Sequence, residues 1–249
     1  MPIKVLLLNN ISKSAINIFE KNNYIIDNYS KLDTNELKEK IKDYQIIGIR
    51  SNTSLTKEVL ENANNLLAIG HFCIGTDQTN LEYAASKGIP VFNSAYENTR
   101  SVAELVIGYM ISLSRKLGDR NIEMHNSKWN KISKNCFELR NKKLGIIGYG
   151  SIGTQLGVLA EMLGMNVYYY DIEPKLKYGK AIRVNDLNKL LSLVDFVSLH
   201  VPLTQLTKNM FGEDELSCMK KGSYLINASR GQVVNTNAVA KYLNNGHLS

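Results

Sequence analysis

Three glycines, one aspartate and one arginine carry most of the chemistry that can be read in this chain. Lys143-Leu144-Gly145-Ile146-Ile147 is an apolar run of strand length, and Gly148-Tyr149-Gly150-Ser151-Ile152-Gly153 follows it directly. The spacing is Gly-x-Gly-x-x-Gly, with a helical pattern beyond. Gly148 permits a tight strand-to-helix turn, Gly150 lets backbone approach a pyrophosphate, and Gly153 removes a side chain that would hold helix and strand apart. The helix then opens at Ser151, Ile152 and Gly153, where unpaired amides and a partial positive charge suit phosphate. A second run, Val167-Tyr168-Tyr169-Tyr170, ends at Asp171, 18 residues after Gly153. An acid at that distance binds the adenosine ribose hydroxyls of a dinucleotide. A carboxylate there repels a 2′-phosphate, and no arginine follows within Ile172-Glu173-Pro174, so NAD is expected rather than NADP. The alternative is an ordinary β-α-β turn whose glycines serve packing alone.

Arg230 is the candidate substrate residue. It follows the run Ser223–Asn227 and the pair Ala228-Ser229, at the carboxyl edge of an expected strand. Ligands of doubly wound folds bind at that edge. A guanidinium presents a planar fork that matches a carboxylate bidentately. A structural salt bridge is the competing use.

These residues need a scaffold, and the chain alternates in the way that builds one. From Ile3 to Asn93, strand-length runs lie at Ile3–Leu8, Tyr24–Ile26, Gln45–Ile49, Leu66–Ile69 and Ile89–Phe92, with helical stretches between. Such alternation predicts a parallel sheet covered on both faces. Thr79-Asn80-Leu81-Glu82 reads as a capping box whose helix stops at Gly88, with Pro90 just beyond. Ser101-Val102-Ala103-Glu104 reads as another, opening a helix that runs to about Leu117 and is apolar around most of its circumference. That pattern fits a connector buried between two domains. Residues 118–141 are polar and hold Trp129, the only tryptophan, expected as a packing anchor or subunit contact. A second alternating region follows, with strands expected near Leu144–Ile147, Val167–Tyr170, Phe196–His200 and Ser223–Asn227.

Composition narrows the function classes. The chain has 249 residues, 44% of them hydrophobic, enough for a sizeable core. No stretch approaches the ~20 apolar residues of a bilayer span, and the N-terminal run lacks a small-residue cleavage site. The cytoplasm is the expected address, without membrane partners. Cys73, Cys136 and Cys218 stand far apart, which argues against a zinc site or a disulfide framework and favours free thiols. Thirty Lys+Arg against 23 Asp+Glu give +7, but the basic residues are scattered. A small anionic ligand is therefore expected rather than nucleic acid.

Motifs on both sides of the glycine turn point to one family. Phe72-Cys73-Ile74-Gly75-Thr76-Asp77-Gln78 and Asn98-Thr99-Arg100-Ser101-Val102-Ala103-Glu104 precede it. Leu199-His200-Val201-Pro202-Leu203-Thr204 and Leu225-Ile226-Asn227-Ala228-Ser229-Arg230-Gly231 follow it. In this order they resemble the D-isomer-specific 2-hydroxyacid dehydrogenases along essentially the whole chain, most of all members acting on 3-phosphoglycerate. The resemblance implies an α/β protein with a flavodoxin-like substrate domain, residues 1–97, and a Rossmann-type NAD-binding domain, residues 98–249 including the connector helix. It implies that Arg230 orients the substrate carboxylate and polarises its C2 oxygen, and that Pro202, Ala228 and Ser229 line the cofactor. Arg50, Ser51 and Gly75 are expected to face the substrate, with Arg50 supplying charge for a phosphate or standing as a solvated loop arginine. Asn98 is expected to hydrogen-bond substrate, although helix capping competes. The implied reaction is NAD-dependent oxidation of 3-phosphoglycerate, the first step of serine biosynthesis, with 2-oxoglutarate reduction as an added activity and a homo-oligomeric state.

One part of the family's machinery is expected to be missing. A base must take the hydroxyl proton, and the family uses a histidine paired with a glutamate. In the family pattern both lie beyond Ser249, as do the last strands of the nucleotide domain and the return segment of the substrate domain. His71, His125, His200 and His247 lack that pairing context, and His71 stands where relatives are expected to carry Arg or a small residue. The 249-residue chain is accordingly expected to bind NAD weakly and not to turn over. Alternatives are a dehydrogenase of another small D-2-hydroxy acid, or a non-catalytic NAD-binding or interaction protein.

Overall fold

A computed structural model describes residues 2–249. The chain divides into two compact units, Met1–Glu97 and Asn98–Ser249.

The first unit is a five-stranded sheet of β1 (Lys4–Leu8), β2 (Ile25–Tyr29), β3 (Ile46–Ile49), β4 (Ala68–His71) and β5 (Val91–Asn93). All pairings are parallel, in the flavodoxin-type order β2-β1-β3-β4-β5. Helices α1 (Lys13–Lys21), α2 (Thr34–Lys40), α3 (Lys57–Leu60) and α4 (Leu81–Ser86) connect them. β1 explains why both faces must be covered. Successive side chains point to opposite faces, and Val5, Leu6, Leu7 and Leu8 are all fully buried. Leu6 and Leu8 join the cluster of Ile41, Ile47 and Leu55, whereas Val5 and Leu7 pack with Ile11 on the other side. Burying one such leucine is worth about 1.5–3 kcal/mol relative to exposing it. α2 is opened by a capping box between Asp33 and Glu36. α4 corrects the expected box at Thr79. Asn80 is the N-cap, its side chain accepting from the Tyr83 amide, because the Thr79 hydroxyl is engaged by buried His71 at 2.7 Å.

The second unit begins with α5 (Thr99–Arg115) and α6 (Leu117–His125). A sheet of β6 (Lys143–Ile147), β7 (Asn166–Tyr170), β8 (Ile182–Arg183), β9 (Phe196–Leu199) and β10 (Tyr224–Asn227) follows. α7 (Ser151–Met162), α8 (Leu187–Leu193), α9 (Glu213–Cys218) and α10 (Thr236–Asn244) complete it. The strands are parallel in the Rossmann-type order β10-β9-β6-β7-β8.

Three expectations change here. α5 starts two residues before Ser101, with Asn98 at the N-cap position, and Glu104 pairs with Arg100 instead of closing a box. The helix ends at Lys116, whose left-handed φ of 54° breaks it, and α6 follows into the polar segment. Nor is α5 buried all round. Ala103, Val106, Met110 and Ser114 are buried and the helix packs on α7, while Leu105, Tyr109, Ile111 and Leu113 are exposed. Trp129 is 78% exposed and anchors nothing within the chain. None of the three cysteines is in a disulfide, and all three are partly buried. Among the described residues no helix is long and apolar enough to cross a membrane.

Candidate functional site

The carboxyl edge of the second sheet gathers most of the residues singled out by sequence. β6 leads into the glycine turn, β7 into Asp171, β9 into His200-Val201-Pro202, and β10 into Ala228-Ser229-Arg230. The strand order reverses between β6 and β9, and ligands of open α/β sheets bind beside such a reversal.

The three glycines have three separate physical reasons. Gly148 has φ +89°, and a Cβ there would lie 2.7 Å from the His200 carbonyl oxygen. At Gly153 a Cβ would lie 2.3 Å from the Gly148 carbonyl oxygen and 3.0 Å from Ile146 Cγ2. Both are required by the chain itself. Gly150 is different: its φ is an ordinary −81°, and a Cβ there would meet nothing within 4 Å. The space is open, as it must be if a pyrophosphate is to approach the backbone. Gly150 is also the N-cap of the twelve-residue α7 and gives the helix no side-chain cap. Its first amides are therefore left for an anion. These features fit a bound dinucleotide.

Asp171 is held in one orientation. One carboxylate oxygen accepts the Tyr149 amide at 2.8 Å, and the other accepts the Glu173 amide at 2.9 Å. The acid thus ties the glycine turn to the end of β7. Tyr149 is buried and stacked on Tyr169, with ring centroids 3.8 Å apart, which fixes the middle of the turn. Burial pushes the Tyr149 phenol above its usual pKa, so it stays neutral.

An arginine missed in the sequence also stands here. β8 pairs with β7 in a register that sets Arg183 opposite Tyr169. The Arg183 Nη2 donates to the carbonyl oxygens of Asp171 (3.3 Å) and Glu173 (3.2 Å). β8 has only two residues, both exposed, so no apolar pattern announced it.

His200 serves the scaffold. Its Nε2 is 2.8 Å from the Ser198 hydroxyl, and its amide donates to Ile147 at 2.8 Å. Burial pushes its imidazole down to about 4, which keeps the ring neutral. Beyond it, the Thr207 hydroxyl donates to the Pro202 carbonyl at 2.6 Å and shapes that loop. After β10 the organiser is Asn227. Its Oδ1 accepts the Ser229 amide and hydroxyl at 3.0 and 2.7 Å, and its Nδ2 donates to the Arg230 carbonyl at 2.9 Å. Arg230 itself is partly buried, with Nη1 donating to the Ser229 carbonyl at 3.2 Å.

In the first unit, Arg50 and Ser51 follow β3 and Gly75 lies in the loop after β4, all at the carboxyl edge of that sheet. A buried asparagine shapes the Arg50 loop. Asn9, with φ +68°, accepts the Arg50 amide at 3.2 Å and the Thr53 hydroxyl at 2.9 Å on one oxygen. It spans the β1–β3 reversal in strand order. The loop of Gly75 is closed by His71–Thr79 and by Asn93 donating to the Ile74 carbonyl at 2.7 Å. Burial lowers the His71 pKa as well. Asn98 makes no side-chain capping bond, which removes the capping role that competed for it. Among the described residues no cluster of His, Cys, Asp or Glu could hold a metal ion.

A parallel sheet in this order, with an uncapped glycine turn and an acid at the end of the second strand, defines a dinucleotide-binding domain. Residues 107–249 match the model of the D-isomer specific 2-hydroxyacid dehydrogenase NAD binding domain, and the chain belongs to that family. Its second unit is an NAD-binding domain. The chain is 53% identical over 248 residues to D-3-phosphoglycerate dehydrogenase of Dictyostelium discoideum, covering 99% of this chain and 61% of that protein. It is 52% identical over 249 residues to D-3-phosphoglycerate dehydrogenase of Escherichia coli K12, with 99% and 61% covered. It is 55% identical over 233 residues to D-3-phosphoglycerate dehydrogenase 1 of Saccharomyces cerevisiae, with 93% and 50% covered. The chain thus spans roughly half to three-fifths of the length of these curated relatives. Among solved structures it is similar to NAD-dependent formate dehydrogenase of Staphylococcus aureus in complex with NAD, with a TM-score of 0.88, 28% identity, and 99% and 79% of the two chains covered. It is also similar to D-lactate dehydrogenase of Aquifex aeolicus complexed with NAD and lactic acid, with a TM-score of 0.85, 28% identity, and 98% and 74% covered.

Proposed function

We propose that the protein oxidises the 2-hydroxyl of 3-phospho-D-glycerate to the ketone of 3-phosphohydroxypyruvate, the hydride from C2 being taken by NAD. That reaction is the first step of serine biosynthesis, carried out in the cytoplasm. The carrying observation is that one sheet edge presents both the open glycine turn at Gly150 and the asparagine-braced turn of Arg230. Similarity at 52–55% identity to D-3-phosphoglycerate dehydrogenases supports the choice of substrate.

In this reading the amides of Ser151, Ile152 and Gly153 hold the pyrophosphate and Asp171 holds the adenosine ribose. Pro202 and the backbone of Ala228 and Ser229 line the nicotinamide side. Arg230 pairs with the substrate carboxylate and draws electron density from the C2 oxygen. Arg50 and Ser51 take the phosphate, the loop of Gly75 lies beside the substrate, and Asn98 hydrogen-bonds it. The hydroxyl proton needs a base. One ring nitrogen each of His71, His125, His200 and His247 is bonded, to Thr79, Asn121, Ser198 and Met219, and none of these partners is the glutamate that would orient a catalytic histidine, so none of the four is assigned that role. The exposed apolar residues of α5 and α6, among them Leu105, Tyr109 and Ile122, together with Trp129, form the contact surface of a homo-oligomer.

The test is NADH formation from 3-phosphoglycerate, D-glycerate and D-lactate by the protein and its Arg50→Ala variant. A charge-assisted bond to phosphate is worth about 1.5–3 kcal/mol, or roughly 10- to 150-fold. The variant should lose that factor in kcat/KM on 3-phosphoglycerate and little on D-glycerate. Equal use of all three acids by the unmodified protein overturns the substrate assignment in favour of another small D-2-hydroxy acid.

A further inference from the structure

The turn after β7 decides which ribose the site accepts, and Arg183 changes what that turn can do. Both oxygens of the Asp171 carboxylate are tied to backbone amides, of Tyr149 and Glu173, so the negative charge stays at the end of β7. On the same turn, the Arg183 guanidinium donates to the carbonyls of Asp171 and Glu173 at 3.3 and 3.2 Å. These acceptors are neutral. They fix where the guanidinium stands without cancelling its charge. Lys175, the lysine nearest in sequence to Asp171, is paired with the Glu173 carboxylate and is offset by it. A carboxylate beside the ribose 2′-hydroxyl repels a 2′-phosphate, whereas an arginine beside it accepts one through its planar fork. Here the acid sits at the end of β7 and the arginine, on β8, is bonded to the backbone of the same turn.

We infer, resting on the reading of the second unit as an NAD-binding domain, that Arg183 is a second cofactor-selectivity residue. Asp171 closes the site to the 2′-phosphate of NADP, and Arg183, held on the same turn's backbone, sets how much NADPH affinity returns once that carboxylate is gone. A parallel strand delivers it from twelve residues further along the chain, well outside the short stretch after Asp171 where such a cation is expected.

The test is fluorescence titration with NADH and NADPH of the unmodified chain and its Asp171→Ser, Arg183→Ala and Asp171→Ser/Arg183→Ala variants. Salt is kept at 0.15 M, which screens exposed lysines more than about 8 Å away. The unmodified chain should prefer NADH. Asp171→Ser should gain at least tenfold in NADPH affinity, and the double variant should lose that gain. Arg183→Lys in the Asp171→Ser background, which keeps the charge and loses the fork, should retain only part of it. Thermal unfolding of each variant shows that it is folded before binding is compared. Equal NADPH affinity of Asp171→Ser with and without Arg183 overturns the inference and leaves the NAD reading intact. Failure of the unmodified chain to bind NADH overturns both.

Discussion

Substituting Gly150 and Gly153 separately by alanine should separate ligand binding from folding. At Gly153 the new methyl would begin 2.3 Å from the Gly148 carbonyl oxygen, and no real Cβ contact falls below about 3.0 Å. The start of α7 must move away from β6 by ~0.7 Å, and the obstacle is backbone, which cannot swing aside. Overpacking of this kind costs about 1–3 kcal/mol. For a chain of this size that lowers Tm by roughly 2–12 °C, at 2–4 °C for each kcal/mol. The same displacement moves the amides that face the cofactor, so NADH affinity falls as well. Gly150→Ala should behave otherwise. Its φ of −81° suits alanine and the methyl meets nothing within 4 Å. Loss of a favourable N-cap and the reduced entropy of the unfolded chain roughly offset, leaving stability within about 1 kcal/mol. The methyl does fill the path of the pyrophosphate, so NADH affinity should fall at least tenfold, or about 1.4 kcal/mol. Thermal unfolding by circular dichroism and NADH titration by fluorescence read the two effects independently. A Gly150→Ala chain that binds NADH as tightly as the unmodified one refutes the assignment of that open space to the cofactor.

The same geometry sets other outcomes. Asn9→Ala removes the oxygen that gathers the Arg50 amide and the Thr53 hydroxyl, so KM for 3-phosphoglycerate should rise while NADH affinity stays unchanged; an unchanged KM would mean the bracket does not shape the site. Arg230→Lys keeps the charge and loses the fork, and should lower kcat/KM by roughly 10- to 100-fold through the lost charge-assisted bond. NADH binding by that variant should be unaltered. His200 is held neutral with its pKa near 4, below its ordinary 6.5. The unfolded chain therefore binds the extra proton between those values, and stability falls as pH drops from about 6.5 to 4. In urea unfolding at pH 7 and pH 4.5, His200→Gln should lose less stability than the unmodified chain across that interval, and equal losses would contradict the assignment.

Much of the second unit was legible because its signals are local. The run Leu144–Ile147, the glycine spacing and the acid closing Val167–Tyr170 each carry their reason within a few residues, and the structure joins them on one edge. Helix starts were read less well. Thr79 looks like an N-cap until buried His71 takes its hydroxyl, which leaves Asn80 to cap α4. Trp129 suggested packing by its type, but nothing in its polar neighbourhood covers it. The residues that sequence missed act across distance. Asn9 reaches residues more than forty positions away, Arg183 arrives on a two-residue exposed strand, and Asn227 works through the backbone of a turn. Each uses a side chain to hold someone else's main chain, and hydrophobic periodicity carries no trace of that.

The central claim is hydride transfer from C2 of a 2-hydroxy acid anchored by Arg230, and deuterium labelling tests it most directly. The protein is given 3-phospho-D-glycerate deuterated at C2 together with NAD, and the NADH formed is weighed by mass spectrometry. The account predicts one deuterium in each NADH, with formation greatly slowed by Arg230→Ala. NADH that carries no deuterium, or a rate indifferent to Arg230, would contradict it.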